Sequence, residues 1–356
     1  MLGLFRTTLA LMVMAYHLFA ELKPLGTYSV YGFYIISGYL MTLIMHESYG
    51  YTLFGRFSFA LNRFLRLYPQ YWVASIFSAG LVFYLGAETT THYFKSIYMP
   101  TSAREYFSNI AMIFPSWYPN QVNPRLVPPA WALTVELFFY VLICLGLSKH
   151  YTVIKVWLLL SVAYVVATFA FGSWSDRYFP VAAASLPFSI GSAIYFISKD
   201  EGIHKRFLTL GLSTKTLFIL MLANCFAWSA ISLLTTGALV EIGFYLNLLI
   251  CALLVYSITK CGKIVDISKA HDTYIGDFSY PIYLLHWQTG ILVSFVIYGE
   301  AVHGFSTKGG VSYIVSLLVI SLLAVVFMAI IDRPIQRIRS IIKANKALAK
   351  TRATAN

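Results

Sequence analysis

Charged side chains are scarce in this sequence: Asp, Glu, Lys and Arg make up 11% of it, whereas soluble domains carry about 25%. This scarcity excludes an ordinary soluble domain, because 59% of the residues are hydrophobic and need an apolar environment. Cysteine is also rare. The four cysteines lie in or beside apolar runs, without the spacing of a zinc site or a disulfide framework, so we expect no metal. The composition is typical of a multi-pass membrane protein.

The long apolar runs predict an all-α protein with about ten transmembrane helices. A helix needs roughly 17–25 apolar residues to cross the hydrocarbon core of a bilayer. Such runs lie near residues 4–21, 28–46, 70–87, 129–147, 153–172, 178–198, 214–232, 237–259, 280–299 and 310–331. They divide the chain into a transmembrane domain, residues 1–335, and a basic cytoplasmic tail, residues 336–356.

Basic residues are distributed unevenly among the segments that connect these runs. If the N-terminus is cytoplasmic, most of the 26 Lys and Arg residues fall in cytoplasmic segments, in a pattern that alternates from loop to loop. This distribution predicts that both termini are cytoplasmic. It also accounts for the net charge of +12 without nucleic acid as a partner, so the expected partner surface is the lipid bilayer.

One segment on the predicted outer side, residues 88–128, is much longer than the other loops. Together with the adjoining Pro129 it contains half of the 12 prolines, and its centre, SAREYFSNIAMIF, has the pattern of a short amphipathic helix at the membrane interface. A loop of this length is usually functional or disordered, and its aromatic cluster FPSWYPNQ argues against disorder. We therefore expect this loop to shape a functional site.

Ionisable residues at membrane depth are energetically costly, so each is a candidate functional residue. Arg6 and His17 belong to the first apolar run, and eleven helical steps place them on one face, roughly 16 Å apart along the axis. Arg6 then lies near the cytoplasmic end, whereas His17 lies toward the outer side. Anchoring of the helix would explain Arg6 but not His17.

Glu136, in the run PPAWALTVELFFY, has a similar predicted depth. Counted from the outer ends of their helices, His17 is roughly 6 Å deep and Glu136 roughly 10 Å, so the two side chains could meet. A carboxylate on one imidazole nitrogen would fix the tautomer and leave the other nitrogen as a base. The alternative is a structural hydrogen bond that joins two helices.

Arg63 and Arg66, in NRFLRLYPQYW, are one helical turn apart, just inside the membrane. Guanidinium groups paired in this way bind phosphates. The alternative is lipid-headgroup anchoring, the commoner role of arginines at this position. His286, in SYPIYLLHWQ, is expected roughly 9 Å from the inner side. That depth separates it from His17 and favours a structural histidine of the core.

Six motifs follow one another along nearly the whole chain: FRTTLALMVMAYH, VYGFYIISGYLMT, NRFLRLYPQYW, PAWALTVELFFY, SYPIYLLHW and DRPIQRIR. In this order they resemble the integral-membrane acyltransferases of family 3. The sequence departs from many members because Gly3, Leu4 and Phe5 precede Arg6, where those members have an aspartate. It also lacks the extracytoplasmic hydrolase-like domain of some members, so we expect it to work alone or with a separate partner.

The resemblance implies an enzyme of the bacterial inner (cytoplasmic) membrane that transfers an acyl group, usually acetyl, from cytoplasmic acyl-CoA to a sugar hydroxyl outside. The acceptors it implies are lipid-linked or nascent surface polysaccharides, such as lipopolysaccharide O-antigen or capsule. It assigns catalysis mainly to His17. Three arginines would serve the coenzyme: Arg6, Arg63 and Arg66. Tyr283 and His286, which form a Tyr-x-x-His element of the family, are possible further site residues.

The shared helix face of Arg6 and His17 and the matching depth of Glu136 favour direct transfer of the acyl group. His17, oriented by Glu136, would deprotonate the acceptor hydroxyl, which then attacks the thioester. An acyl-histidine intermediate is the alternative. Ser37, or a backbone amide near Gly38, could stabilise the oxyanion.

A function of a different class is also compatible with these residues. In a transporter, or a flippase for a lipid-linked glycan, His17 and Glu136 would act as a proton relay. Such a protein needs no CoA and leaves no covalent mark on a sugar. The sequence shows no half-repeat of the kind often found in secondary transporters, which lowers the weight of this alternative.

Overall fold

The computed structural model describes residues 2–234 and 238–341, and its regular secondary structure is helical. The α-helices are α1 (Gly3–Ala15), α2 (Lys23–Ile44), α3 (Leu53–Leu85), α4 (Ala87–Tyr93), α5 (Ala103–Ala111), α6 (Ala130–Leu145), α7 (Tyr151–Phe171), α8 (Trp174–Tyr178), α9 (Val181–Ile197), α10 (Glu201–Leu208), α11 (Thr214–Leu234), α12 (Ala238–Cys261), α13 (Lys269–Asp277), α14 (Ser279–Tyr298) and α15 (Thr307–Phe327). Short π-helical segments continue three of them: Tyr16–Ala20, Met45–Tyr49 and Met328–Asp332.

The helices are those of a multi-pass membrane protein. In the described ranges, seven helical segments are long and apolar enough to cross a membrane, and up to nine if each of two bent pairs counts as one span. A further apolar helix, α6, has 16 residues. Each predicted apolar run overlaps one of these helices, so the all-α, multi-pass prediction is confirmed. The cytoplasmic position of both termini stays a prediction.

The predicted boundary between membrane domain and tail falls within a continuous helix. The helix that begins with α15 runs on to the end of the segment Thr307–Ile341. The rest of the predicted tail, residues 342–356, lies outside the described residues. The division at residue 335 therefore stays a prediction.

The third helix begins much earlier than its apolar run. The run starts at residue 70, but α3 starts at Leu53 and passes through Pro69. Proline removes one backbone hydrogen bond from a helix interior, and burial of Leu67 and Tyr71 on either side offsets this cost. The two starts differ because hydropathy marks the apolar part of a helix, and the first half of α3 carries the arginine pair.

The N-terminus of α1 is capped by a side chain from a distant part of the chain. The Asp272 carboxylate on α13 accepts hydrogen bonds from the backbone N–H groups of Gly3 (2.9 Å) and Leu4 (3.1 Å). A carboxylate here satisfies N–H groups that have no partner within the helix, and it interacts favourably with the helix dipole. A Cβ on Gly3 would lie 1.7 Å from the Asp272 carbonyl oxygen, so the approach requires glycine. This contact fixes the position of Arg6.

Helices α2 and α9 cross at two glycines. A Cβ on Gly38 would lie 2.3 Å from the carbonyl oxygen of Phe188, and one on Gly191 would lie 2.1 Å from that of Ile35. Small residues allow helix backbones in membrane proteins to approach this closely. Gly38 therefore has a packing role, whereas the adjacent Ser37 faces a cavity described below.

The long loop, residues 88–128, packs against α3. Its predicted amphipathic helix is α5, which begins with a capping box formed by Ser102 and Glu105. Three aromatic side chains of α3 donate hydrogen bonds to the last carbonyls of α5: Tyr68 to Ala111 (2.8 Å), Tyr71 to Asn109 (2.7 Å) and Trp72 to Ile110 (2.9 Å). Because the last carbonyls of a helix have no partner within it, the aromatic end of NRFLRLYPQYW holds the loop in place.

Candidate active site

Two cavities contain the candidate residues other than His286. The first, which we call the arginine cavity, is lined by three arginines. It has an empty volume of about 830 Å³ and lies between α1, α2, α3, α6 and α14. Its polar lining includes Arg6, Arg63, Arg66, Ser37, Glu136 and Tyr140. The structure thus brings together the three predicted coenzyme-binding arginines.

Arg66 has carboxylate partners within the protein. Its guanidinium lies 2.8 Å from the Asp332 carboxylate and 3.9 Å from that of Asp277. Gln70 donates a further hydrogen bond to Asp332 at 3.1 Å. This network joins α3 to α13 and to the π-helical segment after α15, so Arg66 has a structural role in addition to the predicted coenzyme role.

Arg6 and Arg63 form no ion pair within the described part of the chain. Arg6 donates a hydrogen bond to the Ser279 hydroxyl at 2.9 Å, and Arg63 donates one to the Asn62 amide oxygen at 2.9 Å. Arg63 Nε is buried without a hydrogen-bond partner. The residues that the structure does not describe include no Asp or Glu that could pair with these arginines. Both guanidinium groups are therefore available to an anion that enters the cavity.

A fourth arginine, which sequence reasoning did not single out, joins this cluster. Arg339 Nε donates to Asn62 Oδ1 at 3.1 Å, the same oxygen that Arg63 contacts. Two guanidinium groups on one amide oxygen repel each other, and a bound anion would offset that repulsion. Arg339 was missed because nothing in the spacing of the basic residues after α15 separates it from Arg333 or Arg337.

Glu136 faces the arginine cavity. Its carboxylate accepts hydrogen bonds from the hydroxyl groups of Ser37 and Tyr140. Tyr140 was missed, although a spacing of four residues places it on the same helix face as Glu136. Ser37 donates its hydroxyl hydrogen to this carboxylate, so in this arrangement it has no hydrogen to donate to an oxyanion. The structure does not bring Glu136 to His17, and the prediction that Glu136 orients the imidazole was wrong. Depth along an axis does not determine which way a side chain faces.

His17 lies in a second cavity, which we call the histidine cavity. Its empty volume is about 1100 Å³, and the long loop supplies part of its wall, including Lys95, Asn120 and Arg125. His17 belongs to the π-helical segment Tyr16–Ala20, and such turns are frequent at functional sites. Aromatic rings surround the imidazole, with that of Trp287 at a centroid distance of 4.9 Å.

His286 lies directly beside His17. The ring centroids are 5.4 Å apart and the planes are nearly parallel, with an angle of 16°. The predicted separation of these histidines was wrong because depth was counted from residue 280, whereas the helical segment is Lys269–Tyr298. His286 is therefore about 17 residues, or roughly 26 Å, from the start of its segment, and it reaches the depth of His17.

The hydrogen bonds of His286 define its tautomer. His286 is fully buried, and its Nδ1 lies 2.9 Å from the carbonyl oxygen of Tyr283 and 3.3 Å from that of Ile282. Because a carbonyl oxygen only accepts, Nδ1 carries the proton and Nε2 of the neutral ring holds a lone pair. Nε2 is buried without a hydrogen-bond partner. An unpaired acceptor therefore lies beside His17, although His286 itself lines neither cavity.

The two cavities share a wall. Val30 of α2 and Tyr283 of α14 line both of them, and the Tyr283 hydroxyl donates to the Pro129 carbonyl at 3.2 Å. Arg6 and His17, near opposite ends of the first helical segment, lie on either side of this wall. Within residues 2–234 and 238–341, no cluster of three His, Cys, Asp or Glu side chains could hold a metal ion.

A comparison with known protein families gives a match over almost the entire described chain. The model for the acyltransferase domain of acyltransferase family 3 matches residues 2–333. The chain belongs to this family. No curated protein and no solved structure matches this acyltransferase. The resemblance carried by the six motifs is confirmed, and the protein is a transferase with several candidate transmembrane helices.

Within this acyltransferase, motifs that lie far apart in the sequence supply residues to the two cavities or to the arginine cluster. FRTTLALMVMAYH supplies Arg6 to the arginine cavity and His17, among other residues, to the histidine cavity. SYPIYLLHW supplies the shared wall residue Tyr283 and the partner of His17. DRPIQRIR supplies Asp332 and Arg339 to the arginine cluster. Residues of these three motifs therefore line or adjoin one pair of neighbouring cavities.

Proposed function

We propose that this acyltransferase moves an acetyl group from cytoplasmic acetyl-CoA to a hydroxyl of a surface glycan, such as lipopolysaccharide O-antigen or capsule, in the bacterial inner membrane. The observation that carries the proposal is the pair of adjoining cavities, one with arginines and the other with His17. Coenzyme A is anionic and an acceptor hydroxyl needs a base, so the two cavities suit the two substrates. The predicted orientation places the arginine cavity on the cytoplasmic side.

The arginine cavity accounts for donor binding. Arg6, Arg63 and Arg339 have no carboxylate partner among the residues described, and guanidinium groups match the geometry of phosphate oxygens. We assign them to the phosphates of acetyl-CoA. The thin, uncharged pantetheine arm then extends through the cavity to the wall that it shares with the histidine cavity. Glu136 faces the same cavity, where its charge reduces the mutual repulsion of the arginines.

In the histidine cavity, His17 acts as the general base. It removes the proton from the acceptor hydroxyl as that oxygen attacks the thioester carbonyl carbon. A C–O bond forms, the C–S bond breaks, and the proton passes from His17 to the CoA thiolate. Help of this kind typically contributes about 10²–10⁴-fold to a rate. His286 is a positioning residue, because its ring is fixed by the Tyr283 carbonyl and stacks against that of His17.

The geometry does not favour a transporter or flippase. That alternative needs His17 and Glu136 as a proton relay, but the two side chains line different cavities. It also requires no acetyl-CoA and leaves no ester on a glycan. One experiment therefore separates the two functions.

The test compares the wild-type protein with His17→Ala and His92→Ala in membranes supplied with labelled acetyl-CoA. His92 is an exposed residue of α4 that does not line the histidine cavity, so it controls for the loss of a histidine. We expect alkali-labile acetyl esters on surface polysaccharide with the wild type and His92→Ala. With His17→Ala we expect a loss of about 10²-fold or more. NMR spectra before and after mild alkali measure the esters.

Two results would contradict the proposal. A folded, membrane-inserted His17→Ala protein that forms esters at the wild-type level would remove His17 from catalysis. The absence of esters with all three proteins, in hosts that carry different surface polysaccharides, would favour transport.

A further inference from the structure

A buried cation without a carboxylate partner borders the histidine cavity. Arg125 is 2% exposed, and its guanidinium donates to the carbonyls of Val122 and Pro128 and to the Asn123 amide oxygen. It forms no ion pair in the part of the chain that the structure describes. Burial lowers the pKa of Arg125 to about 10. Because burial of an unbalanced charge is costly, an anion that binds here would stabilise the site.

A second buried arginine of the protein shows the opposite arrangement. Arg177 does not line the histidine cavity, and Glu241 accepts two hydrogen bonds from it, at 2.7 and 2.8 Å. This bidentate pair balances the charge of Arg177 within the protein. A carboxylate thus accompanies the buried arginine outside the cavity, whereas Arg125, which lines the cavity, is left without one.

The lining of the histidine cavity is positively charged. Lys95 lines it together with Arg125 and His17, and no Asp or Glu belongs to that lining. Lys95 is exposed and, like Arg125, has no ion pair among the described residues. The cavity therefore presents two cations and a candidate base to a molecule that enters it.

Other groups in the same lining suit a sugar. Asn120 Oδ1 is buried without a hydrogen-bond partner, so it can accept a hydrogen bond from a hydroxyl group. The aromatic side chains that line the cavity include Trp131, Tyr178 and Trp287. Such side chains combine an apolar ring with a polar group at its edge. This combination suits a ring that has both C–H faces and hydroxyl groups.

We infer that the acceptor of this acyltransferase is an anionic glycan, whose carboxylate or phosphate group binds Arg125 and Lys95. The inference rests on the proposed function and specifies its acceptor class. The anionic group anchors the glycan while a nearby hydroxyl reaches His17. An acidic sugar and a glycan on a diphosphate lipid carrier both supply such a group, so the experiment has an arm for each.

Binding to the purified full-length protein tests the inference without requiring catalysis. Trigalacturonate and its carboxyl-reduced counterpart are the probes for an acidic sugar, and geranyl diphosphate and geraniol are the probes for a diphosphate carrier. Titration calorimetry measures each dissociation constant. We expect the charged member of at least one pair to bind about tenfold or more tightly than its neutral partner, because charge-assisted hydrogen bonds are strong. The pair that shows the preference identifies the source of the anion.

Three substitutions locate the effect. Arg125→Gln and Lys95→Gln should each weaken binding of the charged probe, Arg125→Gln by about tenfold, and leave that of the neutral probe unchanged. Arg104→Gln is the matched control, because Arg104 is an exposed residue of the same loop that does not line the cavity. Arg125 also holds loop carbonyls, so Lys95→Gln provides the test if Arg125→Gln does not fold. Equal binding of charged and neutral probes in both pairs, or equal effects of all three substitutions, would overturn the inference.

An assay of acetyl transfer on the same samples separates this inference from the proposed function. Charge-dependent binding without transfer from acetyl-CoA would contradict the proposed function and support the anion site. Transfer without any preference for a charged acceptor would overturn the anion site alone.

Discussion

The arginines that line or adjoin the arginine cavity differ in which groups balance their charge. Arg66 lies 2.8 Å from the Asp332 carboxylate. Arg63 and Arg339 instead donate to one amide oxygen, that of Asn62. Substitution of these arginines should therefore have different consequences, although all are basic residues near one cavity.

Arg63→Gln and Arg339→Gln each remove a cation without a carboxylate partner in the described structure. We expect each to raise the KM for acetyl-CoA about tenfold, because a hydrogen bond to a charged group contributes about 1.5–3 kcal/mol. The melting temperature should stay near that of the wild type, because neither substitution leaves a carboxylate without its cation. Arg66→Gln should instead lower the melting temperature, since it leaves Asp332 and Asp277 without a cationic partner among the described residues. Steady-state kinetics and thermal unfolding measure these effects. An unchanged KM in the first two variants would favour lipid-headgroup anchoring.

Sequence reasoning identified some site residues more readily than others. His17 and Arg6 could be singled out because ionisable residues are conspicuous in an apolar run. Arg339 could not, because its role depends on a contact with α3 that only the folded chain makes. Glu136 and His286 were recognised as candidates, but their neighbours were predicted wrongly, because depth counted along a helix ignores rotation and the true start of the helix.

At the scale of helices, apolar runs predicted where helices occur but not where they begin. The start of α3 lies well before its apolar run, and the segment that contains His286 starts at Lys269. Polar contacts between helices stabilise such extensions. In α13, for example, the Asp272 carboxylate caps the N-terminus of α1. These contacts join residues far apart in the sequence, so a local pattern cannot reveal them.

The crossing of α2 and α9 gives a test at this scale. Gly38→Ala would place a Cβ 2.3 Å from the Phe188 carbonyl oxygen, so we expect a loss of about 1–3 kcal/mol in the free energy of unfolding and a lower melting temperature. Gly80→Ala, on α3, is the matched control because its Cβ would have no neighbour within 4 Å. We expect that variant to be as stable as the wild type or more stable. Equal melting temperatures for the two variants would contradict this account of the crossing.

For the whole molecule, the functional account depends on two cavities that meet at one wall. The distribution of basic residues predicts which side of the membrane each cavity faces, and residues 88–128 were expected to shape a site on the outer side. The loop does supply residues to the histidine cavity. The sequence could not predict that Val30 and Tyr283 separate the cavities, because that arrangement arises from the packing of α1, α2 and α14.

The central claim is that the acetyl group passes from one cavity to the other through this shared wall, and Val30→Phe tests it most directly. Val30 is 7% exposed and lines both cavities, so a larger side chain there should narrow the passage. Val141→Phe is the control, because Val141 is 56% exposed on α6. The measurement is acetyl transfer alongside the dissociation constant for CoA. We predict that Val30→Phe binds CoA like the wild type but transfers acetyl at least about tenfold more slowly, a barrier increase of about 1.4 kcal/mol, while Val141→Phe does both normally. Wild-type transfer by a folded Val30→Phe protein would contradict the account.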